Sequence, residues 1–322
     1  MKKPLVFFIV GPTASGKTDA AVYAAKKLGG EIISADSIQI YRGMDIGTAK
    51  PDEAEKGGVP HHMIDVVDYL DESYNAARFA SDASALISKI TERGMAPVIA
   101  GGTGLYVNSL LYPLDFTSVK PDEELRAKLG KEEEEEPGTL YKRLSENDPA
   151  AAGRINRGDI KRIIRALEIL EVTGKTMTEQ GGDFLNSRGE EIPFEPVIAG
   201  INMDRTVLYD RINRRVDKMI ERDLCDEARR LYEEAGKRRV LSLQGIGYKQ
   251  FISYFEGECT FDEAVELIKR DTRRYAKRQI AWFKRDKRIR WFDRGEYASS
   301  EELNKAVADY FIGERVKHGG QQ

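Results

Sequence analysis

The stretch LVFFIVGPTASGKT, residues 5–18, constrains the fold more than any other part of the chain. Six consecutive apolar residues run directly into a glycine-rich GxxxxGK[ST] spacing, and the alanine-rich TDAAVYAAKKL follows, ended by Gly29 and Gly30. That order predicts a buried strand, a phosphate-binding loop and a helix, the arrangement of a P-loop. Gly11, Pro12, Thr13, Ala14, Ser15, Gly16, Lys17 and Thr18 are therefore the candidate phosphate-binding set. Backbone N–H groups of such a loop point at phosphate oxygens, and the helix N-terminus adds a favourable partial charge. Lys17 is expected to reach the terminal phosphate, and Thr18 is placed to ligate Mg²⁺. A chance match on a surface loop would lack the flanking strand and helix. The spacing specifies phosphate binding but leaves the reaction open.

Further short apolar runs lie at EIISA (31–35), MIDVV (63–67), APVIA (96–100) and EPVIAGINM (195–203), with an amphipathic segment from about Ala76 to Ile90. Short apolar strands alternating with helical patterns predict an α/β fold, here a P-loop core with a parallel sheet. Ligands of such sheets sit outside the carboxyl ends of the strands. GPTASGKT, Asp36–Ser37 and GGTG (101–104) each follow a strand and are expected to converge on one crevice. Asp36 there suits a metal ligand or a general base, or simply a turn or helix cap. Thr103 offers a hydroxyl, or marks only a tight turn.

From Pro121 to about Gly174 helix formers and charges replace the β-branched runs. Ile160, Ile163, Ile164, Leu167 and Leu170 fall at helical spacing, leaving Lys161 and Arg165 off the stripe. The expected organisation is a first part of the core over 1–115, a mainly helical insertion over 116–197, and a second core part over 198–322 that ends in a basic helical region.

Charge is unevenly spread. The net charge of −3 argues against a nucleic-acid partner, but residues 269–294 hold 12 Lys and Arg against 3 Asp, together with both tryptophans. Basic rows with interleaved Tyr275, Trp282, Phe283, Trp291 and Phe292 suit a phosphate backbone with stacked bases. The plainer alternative is a solvated basic face whose aromatics are core. KEEEEE (131–136) is expected to be a solvated, flexible surface. Two cysteines, Cys225 and Cys259, form no CxxC and support neither a disulfide framework nor a zinc site. His61 and His62 are adjacent, point apart and are given no catalytic role. No apolar run approaches the ~20 residues of a membrane span, and LVFFIV lacks the features of a signal peptide. A cytoplasmic protein without a membrane partner is expected.

Taken together, GPTASGKT, DSIQIYRGMDIGTAKP, HHMID, GGTGLY, INRGDIKRIIRALEILEVTGK, GIGYK and TRRYAKRQIAWF resemble, in the same order, the motifs of bacterial tRNA dimethylallyltransferases. The resemblance spans roughly residues 5 to 293. It implies transfer of a dimethylallyl group from dimethylallyl diphosphate to the exocyclic amine of an adenine beside the tRNA anticodon, with Mg²⁺ and with no phosphoryl transfer. It further implies Asp36 as general base, Thr103 near the reacting amine, and Arg215 supporting the diphosphate. RNA contacts implied by it fall on Asp36, Ser37, Ile38, Gln39 and Thr103, and on Arg126. In the insertion they continue over Lys161, Arg162, Ile163, Ile164 and Arg165. Toward the C-terminus they comprise Gln244, Gly245, Ile246, Gly247, Tyr248, Lys249, Arg278 and Gln279. A monomer is expected. Two positions depart from the family pattern: Arg78 stands where an acid is usual, and Asp223 where a glycine is usual. The runner-up is a P-loop kinase acting on a nucleoside or other small molecule, which should turn over ATP and need no RNA; a non-catalytic RNA-binding ATPase fits the basic C-terminal segment but leaves DSIQIY unexplained.

Overall fold

A computed structural model describes residues 2–112, 122–179 and 192–319. The chain divides into two compact units, 1–110 with 193–322, and 111–192. The insertion thus ends at residue 192, a few residues before the expected 197, and the expected boundary at 115/116 lies outside the described residues.

The first unit carries one six-stranded sheet, ordered β3-β2-β4-β1-β5-β6 and parallel throughout. Its strands are β1 (Leu5–Val10), β2 (Gly30–Ser34), β3 (His61–His62), β4 (Ala96–Gly101), β5 (Glu195–Asn202) and β6 (Arg290–Asp293). The intervening helices are α1 (Lys17–Leu28), the single turn α2 (Glu53–Lys56), α3 (Ala76–Glu92) and α4 (Gly104–Leu111). The second unit holds α5 (Glu123–Glu135), α6 (Thr139–Asn147), α7 (Pro149–Ala152) and α8 (Ile160–Thr173). The first unit then resumes with α9 (Arg205–Glu221), α10 (Leu224–Glu234), α11 (Tyr248–Phe255), α12 (Phe261–Phe283) and α13 (Ser300–Gly319).

β1 is apolar throughout, as a strand in the middle of a parallel sheet is, and helices cover the face that carries Phe7 and Ile9. Phe7 and Ile9 pack with Ala20, Ala21, Ala24 and Ala25 of α1 and with Phe311 of α13. The small alanines let α1 lie close to the sheet. α1 ends at Gly29, whose left-handed φ of 63° lets the chain turn straight into β2. The order β2-β4-β1 makes three consecutive strands neighbours, so their carboxyl-end loops are adjacent by construction.

The strand expected at 63–67 is absent. Met63 and Asp65 take left-handed φ values of 63° and 56°, which no extended strand accommodates. His61 and His62 pair with β2 instead, and Val67 makes only an isolated bridge to Tyr41. His62 bonds the buried carboxylate of Glu31 at 2.7 Å, and Arg93 does so at the same distance. The histidine pair therefore closes the sheet edge.

The acidic run is largely exposed, as expected of a solvated surface, but Glu132–Glu135 are helical and belong to α5. Glutamate is a good helix former, and Glu133 accepts from the N–H groups of Gly138 and Leu140 at 2.7 and 3.1 Å. In the same unit Leu129, Leu140, Leu144, Ile163 and Leu167 form a core. Among the described residues no helix is long and apolar enough to cross a membrane.

Candidate active site

The P-loop leaves β1 at Gly11, where φ is 147° and a Cβ would lie 2.4 Å from the Ile201 carbonyl oxygen. Only glycine fits that approach of β1's end to β5. Ala14 and Gly16 are left-handed, with φ of 62° and 93°, and this curls the loop before α1 begins at Lys17. The Ser15 hydroxyl is buried and makes no hydrogen bond to the protein. Lys17 Nζ donates to the Pro12 carbonyl at 2.6 Å. Burial first and the Arg215 charge second push its pKa down to about 7, against the opposing pull of Asp36. Arg215 is likewise lowered, chiefly by burial, again against the pull of Asp36.

Asp36 follows β2. Its Oδ1 accepts from the Ile38 N–H at 3.0 Å, an Asx turn that fixes the carboxylate while leaving Oδ2 outside that contact. Gly101 ends β4 so close to β2 that a Cβ would sit 2.2 Å from the Ala35 carbonyl oxygen. Thr103 accepts from the Ser37 N–H at 3.0 Å and donates to the Ser37 hydroxyl at 3.3 Å. It therefore ties the β4 loop to the β2 loop. Gln279 of α12 ties the third, accepting from the Thr13 N–H at 2.8 Å and donating to the Gly102 carbonyl at 2.9 Å. The expected convergence of the three loops is present, and two side chains lock it.

Three cavities share these groups. A small one of about 100 Å³ is lined by Thr13, Lys17, Thr18, Asp36, Tyr275 and Gln279. A larger one of about 570 Å³ is strongly basic, because α9 turns Arg211, Arg214, Arg215 and Lys218 toward the P-loop along one face and Arg222 follows at its end. A third, of about 340 Å³, combines Asp36, Ser37 and Tyr275 with an apolar wall that includes Ile212, Val216 and Ile268. Arg215 and Ala49 border all three. Polyanion, apolar group and carboxylate chemistry are thus adjacent.

Several expected RNA contacts are placed differently. Tyr248 is fully buried and donates to Glu227 at 2.7 Å, so its side chain belongs to the core. Ile163 is fully buried in the apolar stripe of α8. Gln279 is buried between two loops, so it shapes the cleft from within. Arg126 holds the fully buried Glu168 through Nε at 2.9 Å and Nη2 at 3.1 Å, and Arg165 reaches the same carboxylate at 2.5 Å. Lys161 and Arg162 are exposed. Ile38, Gln244, Gly245, Ile246, Gly247, Lys249 and Arg278 border the half-apolar cavity, and Gln39 the small one. Of the interleaved aromatics, Phe283 and Phe292 are buried, while the half-buried Trp282 packs on Gly104 and the half-buried Trp291 on Gly200. A side chain at either glycine would strike the ring.

Tyr275 is the aromatic that faces the cleft. Burial and the Asp36 charge push its hydroxyl up to about 12. Thr272, Tyr275 and Gln279 fall at helical spacing and mark the face of α12 that borders the cleft. The departure at Asp223 has a conformational reason: φ is 63°, a left-handed turn that glycine adopts freely and aspartate tolerates. Arg78 lies over the Tyr74 ring at 5.0 Å and pairs with Asp71 at 3.3 Å.

The family model described as IPP transferase matches residues 39–286. A tRNA dimethylallyltransferase from Alkaliphilus oremlandii is 46% identical over 314 residues, 97% of this chain and 98% of that protein. One from Halalkalibacterium halodurans is 48% identical, over 91% of this chain and 92% of the relative. The full-length tRNA isopentenylpyrophosphate transferase of Bacillus halodurans superposes with a TM-score of 0.74 at 42% identity, covering 99% of both chains. A eukaryotic dimethylallyltransferase acting on tRNA gives 0.77 at 28% identity, over 97% of this chain and 80% of its own. With the P-loop, Asp36 and the GGTG turn gathered on one parallel sheet, and with matches of this extent, the chain belongs to the IPP transferase family.

Proposed function

We propose that the protein transfers a dimethylallyl group from dimethylallyl diphosphate to the exocyclic amine of the adenine 3′ to the anticodon in tRNA, releasing diphosphate. The observation that carries this reading is the position of Asp36, on the same small cavity as Lys17 and Arg215. A phosphoryl-transfer enzyme needs groups around the phosphorus; here a carboxylate and an apolar wall stand beside the phosphate loop. The names of the relatives support the same reaction.

The chemistry divides between two sides of the cavity. As the allylic C–O bond breaks, negative charge grows on the diphosphate, where Lys17, Arg215 and the loop N–H groups are placed to stabilise it. The buried Ser15 hydroxyl, lacking a protein partner, is a further donor for that group. The adenine amine is a poor nucleophile because its lone pair is delocalised into the ring. Asp36 accepts its proton as the C–N bond forms. Thr103 holds Ser37 and thereby the turn that carries Asp36. An adenine reaches this depth only when splayed out of its loop.

Mg²⁺ fits the donor set. Thr18 supplies a hard hydroxyl at the exposed start of α1, and no cluster of three His, Cys, Asp or Glu that could cage a metal occurs among the described residues. Mg²⁺ dehydrates reluctantly and keeps several waters beside substrate phosphates, so it would need few ligands from the protein. When bound it supplies positive charge to the leaving group.

The test is incubation of the protein with tRNA and either labelled dimethylallyl diphosphate or labelled ATP. Prenylated adenine beside the anticodon is expected from the first, with nothing transferred from the second. Phosphoryl transfer from ATP without prenylation would overturn the reading.

RNA binding by a protein of net charge −3 must come from local patches. On α8 those are Lys161 and Arg162, since Arg165 is committed to Glu168. Replacing both by alanine should flatten the salt dependence of tRNA affinity, lowering the log–log slope by about 0.7–0.9 per lost contact. An unchanged slope in a filter-binding titration would make this helix a solvated face only. The protein is proposed to act as a cytoplasmic monomer.

A further inference from the structure

The segment MDIGTAKP (44–51) belongs to the most distinctive motif of the chain, yet the chemistry above assigns it nothing. It nevertheless borders every cavity of the site. Ile46 and Lys50 line the basic one, Gly47 the half-apolar one, and Thr48 and Ala49 the small one.

No helix or strand fixes this segment; a carboxylate does. Glu227 of α10 is 7% exposed and takes three successive backbone N–H groups. Asp45 donates to Oε2 at 2.9 Å, Ile46 to both oxygens at 2.9 and 3.1 Å, and Gly47 to Oε1 at 3.1 Å. The buried Tyr248 hydroxyl adds a bond to Oε1 at 2.7 Å. Consecutive N–H groups curled around an anion form the nest that loops use for phosphates. Here the anion is the protein's own. Gly47 is required by the fit, since a Cβ there would lie 2.7 Å from the Tyr248 ring.

The far end of the segment continues the connection. Gln39 donates from Nε2 to the carbonyls of Thr48 and Ala49, each at 3.2 Å, and accepts from the Ser34 hydroxyl at 2.9 Å. Ser34 is the last residue of β2, two positions before Asp36. A hydrogen-bonded path thus runs from α10 and α11, through the segment, to the strand end that carries the carboxylate. Anchoring α10 alone would need only apolar contacts, which Leu224, Ala228 and Leu231 already supply from buried positions. Burying a carboxylate is costly unless its hydrogen bonds are made, and those made here go to the segment and to Tyr248.

We propose that Glu227, held by Tyr248, is a positioning residue for prenyl transfer: it sets the 45–49 turn and, through Gln39, the wall of the cavity that contains Asp36 and Lys17. The proposal rests on the functional reading above. Glu227→Gln tests it, because either orientation of the amide sets an NH₂ against a backbone N–H, so at least one segment amide loses its acceptor. We expect kcat to fall by about tenfold or more, with tRNA affinity, measured directly, within about twofold of the parent. Hydrogen exchange at Asp45, Ile46 and Gly47 should accelerate by about tenfold or more while the amides of β1 and β4 keep their protection. Tyr248→Phe keeps all three N–H contacts and should cost no more than about threefold in kcat. A Glu227→Gln kcat within about twofold of the parent overturns the proposal, as does a uniform loss of core protection and tRNA binding, which marks a general folding defect. A parent protein that transfers no prenyl group removes the functional reading and the catalytic part of this proposal with it; the exchange contrast, read without substrates, separates that failure from a misassigned Glu227.

Discussion

Asp36→Asn is expected to slow prenyl transfer by about 10²–10⁴ while leaving dimethylallyl diphosphate binding nearly intact. The substitution is chosen because it isolates one property. Asparagine has the same shape and accepts the Ile38 N–H as well as aspartate does, so the Asx turn with its 3.0 Å contact survives. What disappears is the ability to take a proton. If Asp36 were only a turn residue, the variant would be nearly silent, since Asn is equally suited to caps and turns. If it is the general base, the loss falls on the chemical step, where the proton leaves the amine. Diphosphate binding should if anything strengthen, because a negative charge near Lys17 and Arg215 has gone. Single-turnover kinetics with saturating tRNA, beside a direct titration of the diphosphate, separate the two effects. A chemical step within about threefold of the parent would take Asp36 out of the mechanism.

The contrast between what was legible in the sequence and what was not follows the range of the interactions. The P-loop, β2 with Asp36 and β4 with GGTG could be read because each is a contiguous strand-and-turn pattern. Their convergence could be read because parallel sheets collect ligand groups at one edge. The locks between those loops could not. Gln279 and Thr13 lie 266 positions apart, and Glu227 and Ile46 lie 181 apart, so no local periodicity relates them. Charge was legible as composition but not as pairing: Arg126 and Arg165 read as free cations until the buried Glu168 is seen between them. Aromatic content misled in the same way. Trp282 and Trp291 sit among basic residues in sequence, yet their partners are glycines whose missing side chains make room for the rings. At 63–67 a run of apolar residues looked like a strand because hydrophobicity reports burial, whereas the left-handed turns at Met63 and Asp65 are set by backbone conformation.

Lys17→Ala is expected to lower kcat/KM for dimethylallyl diphosphate by about 10²–10³, the usual cost of removing one donor aimed at developing charge. The surroundings of Lys17 explain why the effect should be large. Its ammonium is bonded to the Pro12 carbonyl at 2.6 Å on a cavity wall shared with a second half-buried cation, Arg215. Burial lowers the pKa of both groups, the Arg215 charge lowers that of Lys17 further, and Asp36 offsets this only in part. A diphosphate supplies the missing negative charge to both at once, so the repulsion built into the loop becomes binding and leaving-group stabilisation when the donor arrives. Loss of the aliphatic stem's packing would also relax the loop, and Lys17→Met, which keeps the length of the stem without the charge, controls for this. Both variants should lose activity alike if charge is the cause. The affinity for tRNA, titrated without the diphosphate, should stay within about twofold of the parent, because Lys17 lies at the P-loop end of the cleft and the proposed RNA contacts lie on Ser37, Ile38 and the 244–249 turn. A tRNA affinity that falls in step with that for the diphosphate would mean that Lys17 serves the architecture of the whole cleft, and that the leaving group is stabilised by other donors.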